Sequence, residues 1–273
     1  MHIPYKYSLC WLLLLVSSSA SLAQDRSIWK ILSDDFGESV TLGIDYFNFP
    51  SRFDKDDWRN LGSTGPLTLS LMAFDETARS GSQELAANGN LDDAMSLFRG
   101  YGEVKFIAPA SAVVYLGGLA SGSESVRRVG KELLQSLLYS GIVTTTLKAI
   151  IGRSRPEMNK GAFSYDPFKF EESNYSLPSG HTTIAFAVSS VLAAEIDNTY
   201  ASIGLYTLAS LTGFSRMYND KHWLSDVFLG AAIGASTGYF VVHENNKLYD
   251  KEEKADTLII QSTLTGLSIT YKF

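Results

Sequence analysis

From residue 106 onward the chain alternates between long apolar runs and short polar breaks. Five runs, 106–123, 133–147, 182–194, 198–215 and 227–242, contain no Asp, Glu, Lys or Arg. Their length predicts helices. They are rich in Gly, Ala, Ser and Thr, which suits close helix–helix approach. The lengths lie between a buried core helix and a bilayer span. Upstream the pattern is mixed. Val40, Leu42, Ile44 and Tyr46 alternate with other residues, which permits a strand over 39–47, with a helix as the other reading. Residues 62–66, Gly-Ser-Thr-Gly-Pro, read as a loop, 67–79 as helix, 88–90 as a break and 91–98 as a short polar helix. At the far end Leu267, Ile269, Tyr271 and Phe273 alternate with polar residues. That predicts a short strand or hairpin, with 40–47 as a candidate partner. The fold expected is all-α, an antiparallel helical bundle, with minor β segments near the termini.

The first residues add a compartment. Lys6 precedes an apolar core at 9–16, and small or polar residues at 17–23 end in a cleavage pattern before Gln24. This predicts a signal peptide over 1–23, because eight apolar residues are too few for a span of about 20. The protein is then expected outside the cytoplasm, periplasmic or membrane-associated. The lone cysteine, Cys10, lies inside that segment. Disulfides, thiolate catalysis and Cys–Zn sites are therefore excluded from the mature chain.

Charge patterning bears on topology. With an exported N-terminus the first apolar run crosses inward. The loop after it carries Arg127, Arg128 and Lys131, as the positive-inside rule asks. Membrane-embedded or membrane-associated helices are expected, although a soluble antiparallel bundle would gather the same residues at one end. Net charge is −6, and no basic stripe points to nucleic acid.

The chemistry concentrates in three segments. Residues 215–226 hold Arg216, His222 and Asp226 just before an apolar run. His222 and Asp226 are four apart, so a helix starting near His222 would put both on one face. Asp226 is then placed to accept from one ring nitrogen and fix the tautomer. Residues 148–156 place Lys148 ahead of Arg155-Pro156, and residues 178–181 read Pro-Ser-Gly-His. Ser179 and Gly180 open a helix there, where free amides and a partial positive charge suit an anion. His243 reads as a surface residue, which leaves His181 and His222 and little material for a multi-histidine metal site.

In this order the segments have the form K-x6-RP, PSGH, SR-x5-H-x3-D. The chain thereby resembles the type 2 phosphatidic acid phosphatase (PAP2) and vanadium haloperoxidase superfamily, over roughly residues 100–245. The resemblance implies a metal-independent phosphatase without cofactor. Lys148, Arg155 and Arg216, with Ser179 and Gly180, would bind the phosphoryl oxygens. His222 would be the nucleophile, Asp226 would orient it, and His181 would protonate the leaving oxygen. The implied substrate is a phosphorylated lipid, of phosphatidic acid, polyprenyl diphosphate or lipid A type. Alternatives are a soluble secreted phosphatase of small phosphoesters, a vanadate-dependent haloperoxidase, and a non-enzymatic scaffold. Residues 24–100 are expected to pack on a catalytic domain at 101–245, and 246–273 to form a charged linker and strand-like tail. The loop 157–177 carries Phe163, Tyr165, Phe168, Phe170 and Tyr175 with Lys160 and Lys169, suited to roofing a pocket, meeting a lipid or plain packing.

Overall fold

The computed structural model describes residues 28–48, 51, 55–256, 258–263 and 266–271. The expected signal peptide lies outside these residues. The elements are α1 (Ile28–Asn48), α2 (Lys55–Met72), α3 (Asp75–Ala86), α4 (Asp92–Tyr101), α5 (Val104–Ser121), α6 (Glu124–Ile151), α7 (Gly180–Ile196), α8 (Thr199–Tyr218) and α9 (Leu224–Asp256), then β1 (Leu258–Thr263) and β2 (Gly266–Tyr271). The architecture is all-α with a terminal hairpin. The five apolar runs fall on α5 to α9, and α6 and α9 run well beyond theirs into polar residues.

Several local expectations change; the helix expected over 67–79 is split by a turn at 73–74 into α2 and α3. Residues 39–47 are helical, not a strand. The alternation there coexists with a helical stripe of Asp35, Ser39, Leu42 and Tyr46, and the stripe wins because it meets α6. Leu42 clusters with Tyr139, Phe240 and Val241, and the Tyr139 hydroxyl donates to Ser39 O at 2.5 Å. The terminal strands consequently pair with each other, Leu258 opposite Tyr271 and Thr263 opposite Gly266. Residues 62–66 are not a loop but run on inside α2, with Pro66 tolerated in a helix whose Gly62 and Gly65 meet nothing within 4 Å. The charged stretch after His243 does not break the chain either, since α9 continues to Asp256.

The core is the antiparallel set α6, α7, α8 and α9. α9 lies closest on α7 because Gly230, Gly234 and Gly238 face it at helical spacing. A Cβ at Gly234 would stand 2.3 Å from Thr183 O, so only glycine allows this approach. The antiparallel order brings the C-terminal ends of α6 and α8 and the N-terminal ends of α7 and α9 to one end of the bundle. At the other end Arg127, Arg128 and Lys131, expected in a loop, lie in the first turns of α6. There Asp35 of α1 holds Arg127 and Lys131 at 2.5 and 3.3 Å and accepts from the Tyr115 hydroxyl of α5 at 2.7 Å.

Three helices, Val104–Ser121, Glu124–Ile151 and the Leu224–Tyr249 part of α9, are long and apolar enough to cross a membrane. Leu116 and Val113 of α5 and Leu138 of α6 are more than half exposed. Lateral apolar faces of this kind support membrane association.

Candidate active site

Each signature residue sits at the same end of the bundle because a helix terminus delivers it there. Lys148 is in the last turn of α6, which ends at Gly152 in the left-handed conformation, φ 62°. A Cβ on Gly152 would stand 2.0 Å from Asp166 O, so glycine is required for the following loop to fold back. That loop is pinned by backbone bonds: Asp166 N to Gly152 O at 2.7 Å, Ser154 N to Ser164 O at 2.9 Å and Ser176 N to Arg153 O at 3.1 Å.

Ser179 is the N-cap of α7 and is fully buried. Its amide is not free for an anion, since it donates to Asp226 O at 2.9 Å. The Ser179 hydroxyl accepts from Thr182 Oγ1 at 2.9 Å. The free donors at this helix end are the amides of Gly180, His181 and Thr182, which bond no group among the described residues. Lys148 reaches the same place, with its Cε 3.8 Å from where a Cβ of Gly180 would be. The Lys148 ammonium donates to Tyr175 O.

His222 lies in the turn between α8 and α9. α9 begins two residues later, so His222 and Asp226 are not both in its first turn as expected. Asp226 instead takes the third helical position and reaches back to the Trp223 N–H at 2.9 Å, closing the helix start in the manner of a capping box. His222 Nδ1 stands 3.6 Å from Asp226 Oδ2, too long for a hydrogen bond, and finds no other partner. Asp226 is occupied elsewhere. Its Oδ1 accepts from Arg153 Nη1 at 2.6 Å, and its Oδ2 from the Ser176 hydroxyl. Burial first, with the fields of Lys148 and Arg216 and against that of Asp226, lowers the His222 imidazole to about 3, so it is neutral at neutral pH with a lone pair available.

The cations surround this histidine. Arg216, 6% exposed, and Arg155 both carry a buried Nε without an acceptor. Lys148 and Arg216 act electrostatically on both His181 and His222, and Arg155 acts on Lys148 and Arg216. Arg155 is tethered from one side by Glu172 at 3.1 Å. Lys148, Arg155, Arg216, His181, His222 and Asp226 thus come together with the free amides of α7. The arrangement suits an oxyanion held against a neutral imidazole.

Comparison with known proteins finds matches over the same part of the chain. Residues 130–250, which hold all three segments, match the profile described as the PAP2 superfamily. Over these residues the chain is similar to the PAP2 superfamily. A lipid A 1-phosphatase of Porphyromonas gingivalis is 34% identical over 123 residues, covering 40% of this chain and 28% of the relative. A lipid A 1-phosphatase of Rhizobium etli is 28% identical over 181 residues, covering 62% of this chain and 75% of the relative. The chain therefore spans only part of the relatives it matches. The crystal structure of a transmembrane PAP2-type phosphatidylglycerolphosphate phosphatase from Bacillus subtilis shares the fold, with a TM-score of 0.54 at 23% identity, over 68% of this chain and 96% of that one.

Around the PAP2 signature the structure adds residues that the sequence did not single out. Arg153, fully buried, lies inside the 148–156 segment but outside its pattern. Its one signal was a charge directly after a helix-ending glycine. Asp75 of α3 and Ser176 had none. Arg99 of α4 and Glu103 before α5 are electrostatic neighbours of His181, and Arg99 makes no ion pair within 4 Å among the described residues. In the 157–177 loop Phe163, Phe168 and Phe170 are exposed at 68%, 65% and 75%, which removes plain packing as their role.

Proposed function

We propose that the protein is a lipid phosphate phosphatase that works through a phosphohistidine on His222. The observation that carries this is the set of donors around the neutral His222. The buried Nε atoms of Arg155 and Arg216 lack acceptors, and they converge with Lys148 and the free amides of Gly180, His181 and Thr182. A phosphoryl group in transfer presents three negatively charged equatorial oxygens, which such a set complements.

In this reading His222 Nε2 attacks phosphorus in line as the bond to the lipid oxygen breaks. His181, lowered to about 4 by burial while the site is empty, takes up a proton when the negatively charged phosphoryl group binds beside it and gives that proton to the leaving oxygen. The phosphorylated imidazole carries positive charge, which Asp226 at 3.6 Å stabilises. His181 then takes a proton from water, the water oxygen attacks phosphorus, and the P–N bond breaks. Inorganic phosphate leaves and both histidines return to their starting state.

A lipid substrate is supported by the three apolar helices and by the exposed Phe163, Phe168 and Phe170 beside the site. The lipid A 1-phosphatase relatives make a lipid A phosphate the first substrate to test. The side of the membrane follows from charge. Arg127, Arg128 and Lys131 lie at the opposite end from the site, which favours a site facing away from the cytoplasm.

The test is phosphate release in EDTA from lipid A, phosphatidic acid, a polyprenyl diphosphate and para-nitrophenyl phosphate. EDTA-resistant release from a lipid, lost in His222→Ala, is the expected result. Release from the soluble ester alone would contradict a lipid substrate, and no release from any ester by the folded protein would contradict the phosphatase reading.

A further inference from the structure

The nucleophile's carboxylate is tied to a helix outside the PAP2 domain. Asp75 opens α3 and is fully buried. Its Oδ2 accepts from Arg153 Nη2 at 2.7 Å and from the Ser225 hydroxyl at 2.7 Å, and its Oδ1 from the Ser225 amide at 2.9 Å. Arg153 also donates from Nη1 to Asp226 Oδ1 at 2.6 Å and to Ser225 Oγ at 2.7 Å, and from Nε to Ala162 O at 2.9 Å. One guanidinium therefore serves two buried carboxylates, and the trio keeps a single net negative charge. That charge lies on the Asp226 side of His222, while Lys148 and Arg216 face the imidazole from α6 and α8. Tyr165 is the other titratable neighbour of the trio.

The rest of α3 holds the same parts in place. Arg79 pairs with Asp220 at 2.7 Å and lies over the Trp223 ring, 5.6 Å from its centre. Glu76 accepts from Ala162 N at 3.0 Å, and Gln83 donates to Met217 O at 3.1 Å. A helix that only filled space would not place acids and an arginine on both sides of the turn that carries the nucleophile.

We propose that Asp75 is a positioning residue for the nucleophile: by sharing Arg153 with Asp226 it leaves Asp226 negative enough to stabilise the charge that develops on His222. This rests on the phosphatase reading above. In Asp75→Asn the charge of Arg153 falls wholly on Asp226, and the imidazole loses its stabilising field. Binding of the phosphoryl oxygens is untouched, because Lys148, Arg155, Arg216 and the α7 amides make no bond to Asp75.

Vanadate and inorganic phosphate separate these effects. Vanadate mimics the transition state and needs the nucleophile, whereas phosphate needs only the cations. In the full-length protein, Asp75→Asn is expected to weaken vanadate binding by about 10–100-fold and to lower kcat by a similar factor. Phosphate affinity and KM should stay within about 3-fold. Asp75→Asn combined with Arg153→Gln removes both charges of the pair and restores the net charge beside His222. It is expected to regain at least about half of the lost vanadate binding energy. If the single variant fails to fold, the double variant is measured against wild type, where vanadate weakened by less than about 10-fold is expected and weakening of about 100-fold with phosphate unchanged would overturn the proposal. Equal weakening of both anions, unchanged vanadate binding in Asp75→Asn, or a double variant no better than the single one would overturn the proposal. Both affinities are read by calorimetry without turnover. An inactive wild type would therefore sink the phosphatase reading, while the anion ratio still decides the role of Asp75.

Discussion

Asp226 Oδ2 stands 3.6 Å from His222 Nδ1 and bonds Trp223 N and Ser176 instead. The carboxylate acts on the histidine through its charge and through the turn it closes. Both oxygens of Asp226 face donors, so an amide in its place would turn an N–H toward one of them. Asp226→Asn is expected to lower kcat by about 10²–10⁴-fold and stability by about 3–5 kcal/mol, the scale for breaking a buried charge pair. Steady-state kinetics with urea unfolding in detergent checks both.

The His222 imidazole is held by burial at about 3, below its ordinary 6.5. The unfolded chain binds a proton as pH falls below the ordinary value and the folded chain does not. This group therefore contributes stability that is present above pH 6.5 and is lost as pH falls toward 3. The loss is on the order of a few kcal/mol. Thermal unfolding of wild type and His222→Asn across that window should show a flatter acid limb in the variant.

Gly152 ends α6 at φ 62°, and its Cα faces Asp166 O so closely that a Cβ would stand 2.0 Å away. Gly152→Ala must push the 157–177 loop off the helix end. A loss of about 1–3 kcal/mol or more is expected, with a larger fall in activity, because Ser176 on that loop bonds Asp226. Melting temperature and kcat together report it.

Phe168 and Phe170 present their rings to the surroundings at 65% and 75% exposure beside the site. Phe168→Ser with Phe170→Ser is expected to raise KM for a lipid phosphate by about 10-fold, the scale of burying part of an aromatic ring, and to leave hydrolysis of para-nitrophenyl phosphate unchanged. Equal effects on both substrates would contradict a lipid-facing role for the loop.

The bundle was legible because its apolar runs are long and separated by short polar breaks. The site cations and histidines were legible because they follow a fixed spacing at helix ends. What stayed hidden depends on contacts far apart in sequence. The helix α1 won over a strand through Leu42 and Tyr46 packing on Tyr139, about 95 residues away. Asp75 meets Ser225 across 150 residues, so no spacing rule could pair them. The engaged amide of Ser179 was equally invisible, since its acceptor is Asp226 O on another helix.

The most direct measurement is a rapid quench, in alkaline detergent, of the protein turning over a lipid radiolabelled in its phosphate. The account predicts label that is stable to alkali and labile to acid, on the peptide that contains His222, and no label in His222→Ala. Turnover that proceeds without protein-bound label, or label on another residue, would contradict it.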